Sequence, residues 1–271
     1  MRLYSYKIFR LLEKVKESPI ENISSYNKGL EKSVVDKLFF MEKIDTDLIV
    51  DFGCADGKIL KNINKTDSSI QLVGYDVSTD MLNLAKSNVP SAKFTNNWND
   101  VINIAKNYKN SVLLLSSVIH EVYSYSDTKE IKKFWEEKVF GGCFKYIVIR
   151  DMIPSASISK EEFLEDVKKV NKLSDKKYLN SFENIWGLID NDYRTFLHWL
   201  LKFSYIDNWE REVKENYLPI TLETLYKKIP RNYKMIYKNN FIFEPIQKRI
   251  IKAFGIVIKN TTHTKLIIER I

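Results

Sequence analysis

Apolar residues along this chain fall into short continuous runs separated by stretches of helical spacing. Leu48-Ile49-Val50-Asp51-Phe52 is one such run; it ends at a glycine turn and reads as a buried strand. Lys58 to Ile63 opens a helix after it. Ile70 to Asp76 repeats the strand pattern and ends in an acid, and Ser78 to Asn88 is helical, with Ser78 or Thr79 as N-cap. Ala92 to Thr95 is a short third strand and Trp98 to Tyr108 a helix. Ser111 to Ser117, carrying Val112-Leu113-Leu114-Leu115, is a fourth strand. Thr128 to Val139 is helical and Phe144 to Arg150 is a fifth strand. Near-continuous apolar strands alternating with helices predict an α/β fold, a parallel sheet covered by helices on both faces.

Ahead of this run, residues 4–16 read as an amphipathic helix through Leu11, Leu12 and Val15. Gly29 to Lys43 reads as another, through Val34, Val35, Leu38, Phe39 and Met41. Ser18-Pro19 and Ser24-Ser25-Tyr26-Asn27 mark the loop between them. After Asp151 the alternation stops. Residues 160–172 and 184–203 read as aromatic-rich helices and 207–217 as a mixed polar-aromatic segment. Thr221 to Ile229 then reads as a helix, Tyr233 to Phe243 as a strand, Pro245 to Phe254 as a helix and Thr262 to Arg270 as a last strand. The expected division is an N-terminal helical cap over 1–44, one domain formed by 45–151 and 220–271, and a mainly helical insertion, or lid, over 152–219. No internal repeat and no low-complexity segment stands out.

Composition sharpens this picture only a little. The 271 residues are 44% hydrophobic, 13% aromatic and 29% charged, enough for a packed core. No apolar stretch approaches the roughly 20 residues of a membrane-spanning helix. The start Met1-Arg2-Leu3-Tyr4-Ser5-Tyr6-Lys7 lacks the features of a secretory signal, so a cytoplasmic location is expected. The net charge of +8 keeps nucleic acid in view as a partner, although the basic residues are spread along the chain rather than gathered in a run. Cys54 and Cys143 have no Cys or His at metal-ligand spacing, so no metal site is expected and both read as small buried residues.

The turn Asp51-Phe52-Gly53-Cys54-Ala55-Asp56-Gly57 carries the clearest chemistry. Gly53 permits a tight turn and lets a ligand approach the backbone. Ala55 stands in for a middle glycine, and Gly57 lets the following helix pack near the strand. Asp76, at the end of the second strand, is placed to accept both hydroxyls of an adenosine ribose. A dinucleotide turn would carry Gly-x-Gly-x-x-Gly. Here the strand ends in an acid, which would repel a pyrophosphate and favour a ligand bearing an ammonium and a sulfonium.

On these residues the chain resembles the class I S-adenosylmethionine-dependent methyltransferases, of the type 11/12-like kind. Val50 to Gly57 looks like their first motif. Val73-Gly74-Tyr75-Asp76-Val77-Ser78 with Met81-Leu82 looks like the second, and Leu113 to Val122 like the fourth-strand motif. The resemblance covers roughly 45–151 and, more loosely, 221–271. It implies a Rossmann-like seven-stranded sheet, mostly parallel, with Thr262 to Arg270 as an antiparallel last strand. It implies that Asp51 and the backbone at Gly53, with Cys54, Ala55 and Gly57, hold the methionine part of S-adenosylmethionine. Asp76, with Val77 and Met81 beside it, would hold the ribose, and S-adenosylhomocysteine would be the product. Where relatives often place an acid for the adenine amino group, this chain has Asn96-Asn97, followed by Trp98 as a flank for the ring.

Methyl transfer from a sulfonium is an in-line displacement. The protein mainly supplies position and a dry site, and a base is needed only for an acceptor that carries a proton of high pKa. The carboxyl edge of the fourth strand offers Ser116 and Ser117 toward the cofactor. It also offers His120 as a base oriented by Glu121 or another carboxylate, and Tyr123 and Tyr125 toward the acceptor. Arg150 and Asp151 end the fifth strand as acceptor contacts or as a salt bridge. In the insertion, Tyr193, Arg194, His198, Trp199, Trp209, Arg211 and Tyr217 are candidate lining residues, with Trp209 and Arg211 put forward as acceptor contacts. Tyr26 to Gly29 is a segment that could close over the cofactor, and His263 reads as structural.

The leading expectation is an enzyme methylating a small-molecule or nucleotide-sized acceptor. Against a DNA amino-methyltransferase, Ser116-Ser117-Val118-Ile119 stands where Asp/Asn-Pro-Pro-aromatic would be needed, and no Cys follows strand four or five for pyrimidine C5 chemistry. An RNA methyltransferase and a non-catalytic cofactor-binding module are the alternatives. The oligomeric state is not legible.

Overall fold

The computed structural model describes residues 36–154 and 160–271. The helix expected at 4–16, the loop after it and the closing segment Tyr26 to Gly29 lie outside the described residues. So does the first part, residues 29–35, of the helix expected over 29–43. Its described end differs from expectation: after Asp36 and Lys37 the chain forms turns through Lys43, closed by Met41 N–H to Leu38 O and Lys43 N–H to Phe40 O. Such tightened turns are a common way to end a helix. Phe40, fully buried, anchors the turn.

One compact unit runs to Tyr108 and a second from Lys109 to the end. In the first, β1 (Leu48–Phe52) pairs in parallel with β2 (Gln71–Tyr75), which pairs in parallel with β3 (Lys93–Thr95). Three helices alternate with them: α1 (Lys58–Thr66), α2 (Thr79–Asn88) and α3 (Trp98–Ala105). Every residue of β1 is buried, as expected of a strand covered on both faces. Ser78 is the N-cap of α2, its hydroxyl accepting from Met81 N–H, and Asn97 caps α3.

The second unit begins with β4 (Ser111–Ser116). A short helix α4 (Ile119–Tyr125) follows, which the apolar pattern had not separated from the strand end. Next comes α5 (Thr128–Lys133), opened by a capping box between Asp127 and Glu130. It runs into a π-helical turn over Phe134–Val139, so the helix expected over 128–139 is present but changes its hydrogen bonding midway. Strand β5 (Tyr146–Asp151) lies parallel to β4.

After it come α6 (Lys160–Leu173), α7 (Lys176–Trp186), α8 (Tyr193–Phe203), α9 (Trp209–Glu212) and α10 (Leu222–Tyr226). The single helix expected over 184–203 is broken. Gly187 ends α7 with φ 90°, and Asp192 restarts the chain as N-cap of α8, accepting from Thr195 N–H. The unit closes with β6 (Tyr233–Phe241), α11 (Glu244–Phe254) and β7 (His263–Arg270). β7 is antiparallel to both β5 and β6.

The strand order is β3-β2-β1-β4-β5-β7-β6. This is the expected seven-stranded α/β sheet, mostly parallel with an antiparallel last strand. In the second unit α6 to α9 bury a core of Phe163, Phe182, Phe196, Trp199, Leu200 and Trp209. Ile246, Ile250 and Phe254 of α11 belong to the same core, so the helical segment after β5 does not pack only on itself.

Candidate functional site

In the first unit the strand end and its turn form a cradle built mainly of backbone. Gly53, Ala55 and Gly57 all take positive φ, at 77°, 45° and 77°. For alanine that conformation costs about 1 kcal/mol. Gly53 N–H and Cys54 N–H both donate to Tyr75 O, tying the turn to the end of β2. Gly57 lies against α2: a Cβ there would come within 3.2 Å of Ala85 Cβ. Its role is therefore to let α1 start in a left-handed turn close to α2, rather than to bring α1 near β1. Gly74, read from the sequence only as part of the second motif, has a packing role. A Cβ on it would meet the Phe94 ring at 2.5 Å and Cys54 Sγ at 2.7 Å. The thiol of Cys54 is buried, and burial pushes its pKa up.

Asp51 is 1% exposed, and its Oδ2 is buried with no hydrogen-bond partner among the described residues. Its carboxyl is pushed up to about 7, mainly by burial; Lys37 pulls the other way and Asp76 adds to the rise. Asp76 differs. Its Oδ2 accepts from Ala55 N–H at 2.9 Å and its Oδ1 from Ser78 N–H at 2.9 Å, so it joins the turn to the start of α2. Each oxygen keeps a further lone pair for a ligand hydroxyl.

Val77 is 63% exposed, and Met81 is half-buried with its N–H held by Ser78. Asn97 spends its side-chain oxygen on Asn99 N–H and its amide on Asp100, so it acts as a helix cap. Asn96 is exposed beside it. Trp98 stands edge-on to Phe52 and to Tyr75, at 5.4 and 5.1 Å between ring centroids.

In the second unit a polar cluster gathers at the ends of β4 and β5. Ser116 is buried with its Oγ unbonded among the described residues, and Ser117 turns the chain at φ 57° with its N–H on Arg150 O. His120, 6% exposed, donates from Nδ1 to Asp151 Oδ1 at 2.8 Å. The ionised carboxylate has no proton to give, so the proton lies on Nδ1. Asp151 also accepts from Ile119 N–H at 2.7 Å and Met152 N–H at 2.8 Å. Burial pushes the His120 imidazole down, but the charge and hydrogen bond of Asp151, with Glu121 and Glu215 behind it, carry the net shift up. Burial pushes Asp151 up, and His120 with the two backbone N–H groups holds it below the usual range.

The carboxylate that orients His120 is thus Asp151. Glu121, its neighbour in sequence, turns to Arg211 Nη2 at 3.2 Å. Consecutive strand residues face opposite ways, so Arg150 does not follow Asp151. Its guanidinium lies over the Phe243 ring at 4.9 Å. Arg150 Nη1 also donates to Ser117 Oγ at 3.5 Å, while Asp151 accepts from His120 and two backbone N–H groups, so the two residues have separate partners.

The segment from Trp209 to Tyr217 is bolted to α4. Arg211 Nε pairs with Glu215 Oε1 at 3.0 Å, and Tyr125 OH donates to the same oxygen at 2.9 Å. Ser124 Oγ donates to His120 O at 2.6 Å and accepts from Asn216 N–H at 2.7 Å. The Tyr217 ring stands edge-on to His120 at 5.6 Å, and its hydroxyl donates to Glu212. Lys202, fully buried, lies over the Tyr217 ring at 3.5 Å and donates to Glu212 O. Burial pushes the Lys202 ammonium down and the Glu212 carboxyl up.

Lys202, Glu212, Glu215 and Ser124 are members of this cluster that sequence reasoning missed. Only the Arg211/Glu215 spacing on one helical face hinted at them. Other candidates are drawn into packing. Trp209, 8% exposed, donates to Ser181 and stacks edge-on to Trp199, which removes it as an acceptor contact. Tyr123 OH accepts from Trp135 Nε1. Tyr193 is buried beside Phe163, and Arg194 donates to Leu218 O. His198 accepts from Tyr217 N–H through Nε2, and burial keeps it neutral by lowering its pKa. His263 Nδ1 meets Thr262 Oγ1 within the strand pair, a structural place.

Among the described residues no group of three or more His, Cys, Asp or Glu is placed to hold a metal, and no helix is long and apolar enough to cross a membrane. No protein-family model matches the chain, and no curated protein matches it. Solved structures do. The small RNA methyltransferase HEN1 is similar at a TM-score of 0.51 and 14% identity, over 89% of this chain and 25% of that one. The fold is that of the class I methyltransferases. The MccD protein is similar at a TM-score of 0.48 and 11% identity, over 90% of this chain and 98% of that one. The plantazolicin methyltransferase BamL, solved with SAH, is similar at 0.45 and 11%, over 98% and 90%.

Proposed function

We propose that this chain is an S-adenosylmethionine-dependent methyltransferase acting on a small-molecule or nucleotide-sized acceptor. One observation carries the reading. Asp51 is a buried carboxylate whose Oδ2 has no hydrogen-bond partner among the described residues, at the start of a turn whose Gly53 and Ala55 are exposed. Burying the ionised carboxylate is expensive, and a hydrogen-bonding cation opposite Oδ2 reduces the cost. The ammonium of a bound amino acid is such a cation.

The residues of the turn fit the group. Asp51 and the backbone at Gly53, Cys54, Ala55 and Gly57 would hold the methionine part. Asp76 would use its spare lone pairs on the ribose hydroxyls, with Val77 and Met81 beside it and Trp98 near the adenine. When bound, the cofactor supplies an electrophilic methyl on a sulfonium. The chain's own part is to orient the acceptor, exclude water and hold a proton. His120, kept as the Nδ1–H tautomer by Asp151, offers Nε2 as that proton acceptor. Residues 152–219 form the acceptor-covering segment, and the cytoplasmic location expected from the sequence accompanies this reading.

Calorimetry with S-adenosylhomocysteine tests it. Binding is expected for the wild-type chain and loss of most of it in Asp51→Ala and Asp76→Ala. Absence of binding, or unchanged affinity in both variants, refutes the assignment.

A further inference from the structure

We propose that the outer edge of the sheet, from α10 through β6, is a docking surface for an anionic lipid bilayer, met by cationic side chains around an exposed aliphatic pair. Every residue involved lies in the second unit, and none belongs to the cofactor reading above. From Leu222 to Lys238 five cations, Lys227, Lys228, Arg231, Lys234 and Lys238, stand against one acid, Glu223. That excess makes up half of the chain's net charge of +8 in one short segment. A surface of this kind is drawn to negative lipid headgroups.

The fold gathers these cations at one edge. Among the described residues β6 ends the sheet, with β7 as its one partner strand. Lys228 Nζ stands 5.8 Å from the centre of the Trp135 ring, and Lys238 Nζ 5.8 Å from that of Tyr226. Lys234 pairs with Glu269 at 3.0 Å, but Lys145 holds the same side chain at 3.2 Å, so this acid is outnumbered. Between Lys234 and Lys238 the register of β6 on β7 shifts, between Met235 and Tyr237. Regular alternation would turn one of two neighbours inward; the irregularity leaves Met235 and Ile236, consecutive residues, 39% and 42% exposed. An aliphatic pair set among cations suits a bilayer interface. The carbon side chains enter the headgroup layer while the ammonium and guanidinium groups meet its anions. Nucleic acid fits less well. Its bases stack on exposed rings, and here Trp135 is buried and Tyr226 half-buried beneath the lysines. A second copy of this chain would bring like charges together.

Co-sedimentation of the full chain with vesicles tests this. Binding is expected to vesicles of phosphatidylcholine mixed with phosphatidylserine and not to phosphatidylcholine alone. It should fall as salt rises from about 0.1 to about 0.5 M. The double variant Arg231→Glu with Lys238→Glu should weaken partitioning about 25-fold or more, at about fivefold for each cation lost. Met235→Ser with Ile236→Ser should weaken it about fivefold or more, because the aliphatic contact is gone. All four side chains are exposed, so both variants should keep the urea midpoint of the wild type. If the charge variant loses its fold, Lys227→Gln replaces it, with a loss of about fivefold.

Absence of binding to the phosphatidylserine vesicles overturns the proposal. So does equal binding to phosphatidylcholine alone. Binding unchanged in the charge variant overturns it because the cations would not face the lipid. Binding unchanged in the Met235→Ser, Ile236→Ser variant does so because the aliphatic pair would not enter it. A labelled RNA oligonucleotide, followed by fluorescence anisotropy, covers the other polyanion. RNA binding that is lost in the charge variant, with no binding to the acidic vesicles, assigns the surface to nucleic acid and overturns the proposal.

Discussion

The turn after β1 and the cluster at the ends of β4 and β5 both place acids at strand ends, but they treat them in opposite ways. Asp51 is buried with its Oδ2 unbonded among the described residues and its pKa raised. Asp151 is equally buried, accepts three hydrogen bonds and has its pKa lowered. An unsatisfied buried carboxylate stores a binding preference for a cation from outside. A satisfied one stabilises the fold and sets the protonation of its neighbour. The difference separates the acid that the proposed reading assigns to a ligand from the acid whose partners are all within the protein.

The largest expected effect breaks the second arrangement. Asp151→Ala strands the N–H groups of Ile119 and Met152 and leaves His120 without its partner, which should cost about 3 kcal/mol in urea unfolding. A cost under about 1 kcal/mol would mean that the cluster is not the structural anchor its hydrogen bonds describe.

The next tests the first arrangement by the opposite sign. Asp51→Asn should weaken S-adenosylhomocysteine binding about 100-fold, a loss near 3 kcal/mol, while raising the melting temperature of the ligand-free protein at pH 8. The sign follows from the shift. A carboxyl whose folded pKa of about 7 lies above its ordinary value of 3.8 stabilises the fold only at low pH. That contribution is lost as pH rises through the folded value. For the same reason wild-type affinity should tighten as pH rises from 6 toward 8. Flat affinity over that range would show that Asp51 is already ionised.

A smaller effect is expected at Gly74. Gly74→Ala puts a Cβ into the Phe94 ring and Cys54 Sγ and should lower stability by about 2 kcal/mol in the same unfolding experiment. The smallest separates the two acids beside His120. Glu121→Gln should lower the His120 titration midpoint, followed by NMR, less than Asp151→Asn does, because only Asp151 touches the ring. Equal shifts would remove the distinction between them.

Much of this was legible in the chain. The apolar run into Gly53 and Gly57, the acid at Asp76, the cap at Ser78 and the alternation through Tyr146 are local patterns. Local hydrogen bonding and strand–helix periodicity suffice to read them. The break at Gly187 was harder, because the apolar spacing of Phe182 to Trp199 continues across it; only the backbone conformation of Gly187 and the cap at Asp192 end one helix and begin the next.

By itself, then, the sequence determined the α/β class, the glycine turn and the candidate acids, since each depends on neighbours a few residues apart. Tertiary structure alone decided which acid does what. His120 is oriented by a carboxylate 31 residues away rather than by the one beside it, because α4 turns Glu121 toward Arg211 and the alternation of β5 turns Asp151 toward His120. The same three-dimensional pairing left Asp51 Oδ2 without a hydrogen bond among the described residues, engaged Asp76 with Ala55 and Ser78, and drew Trp209 into the core. Side-chain direction at the end of a strand depends on what packs against it, and that is not written in the spacing of residues along the chain.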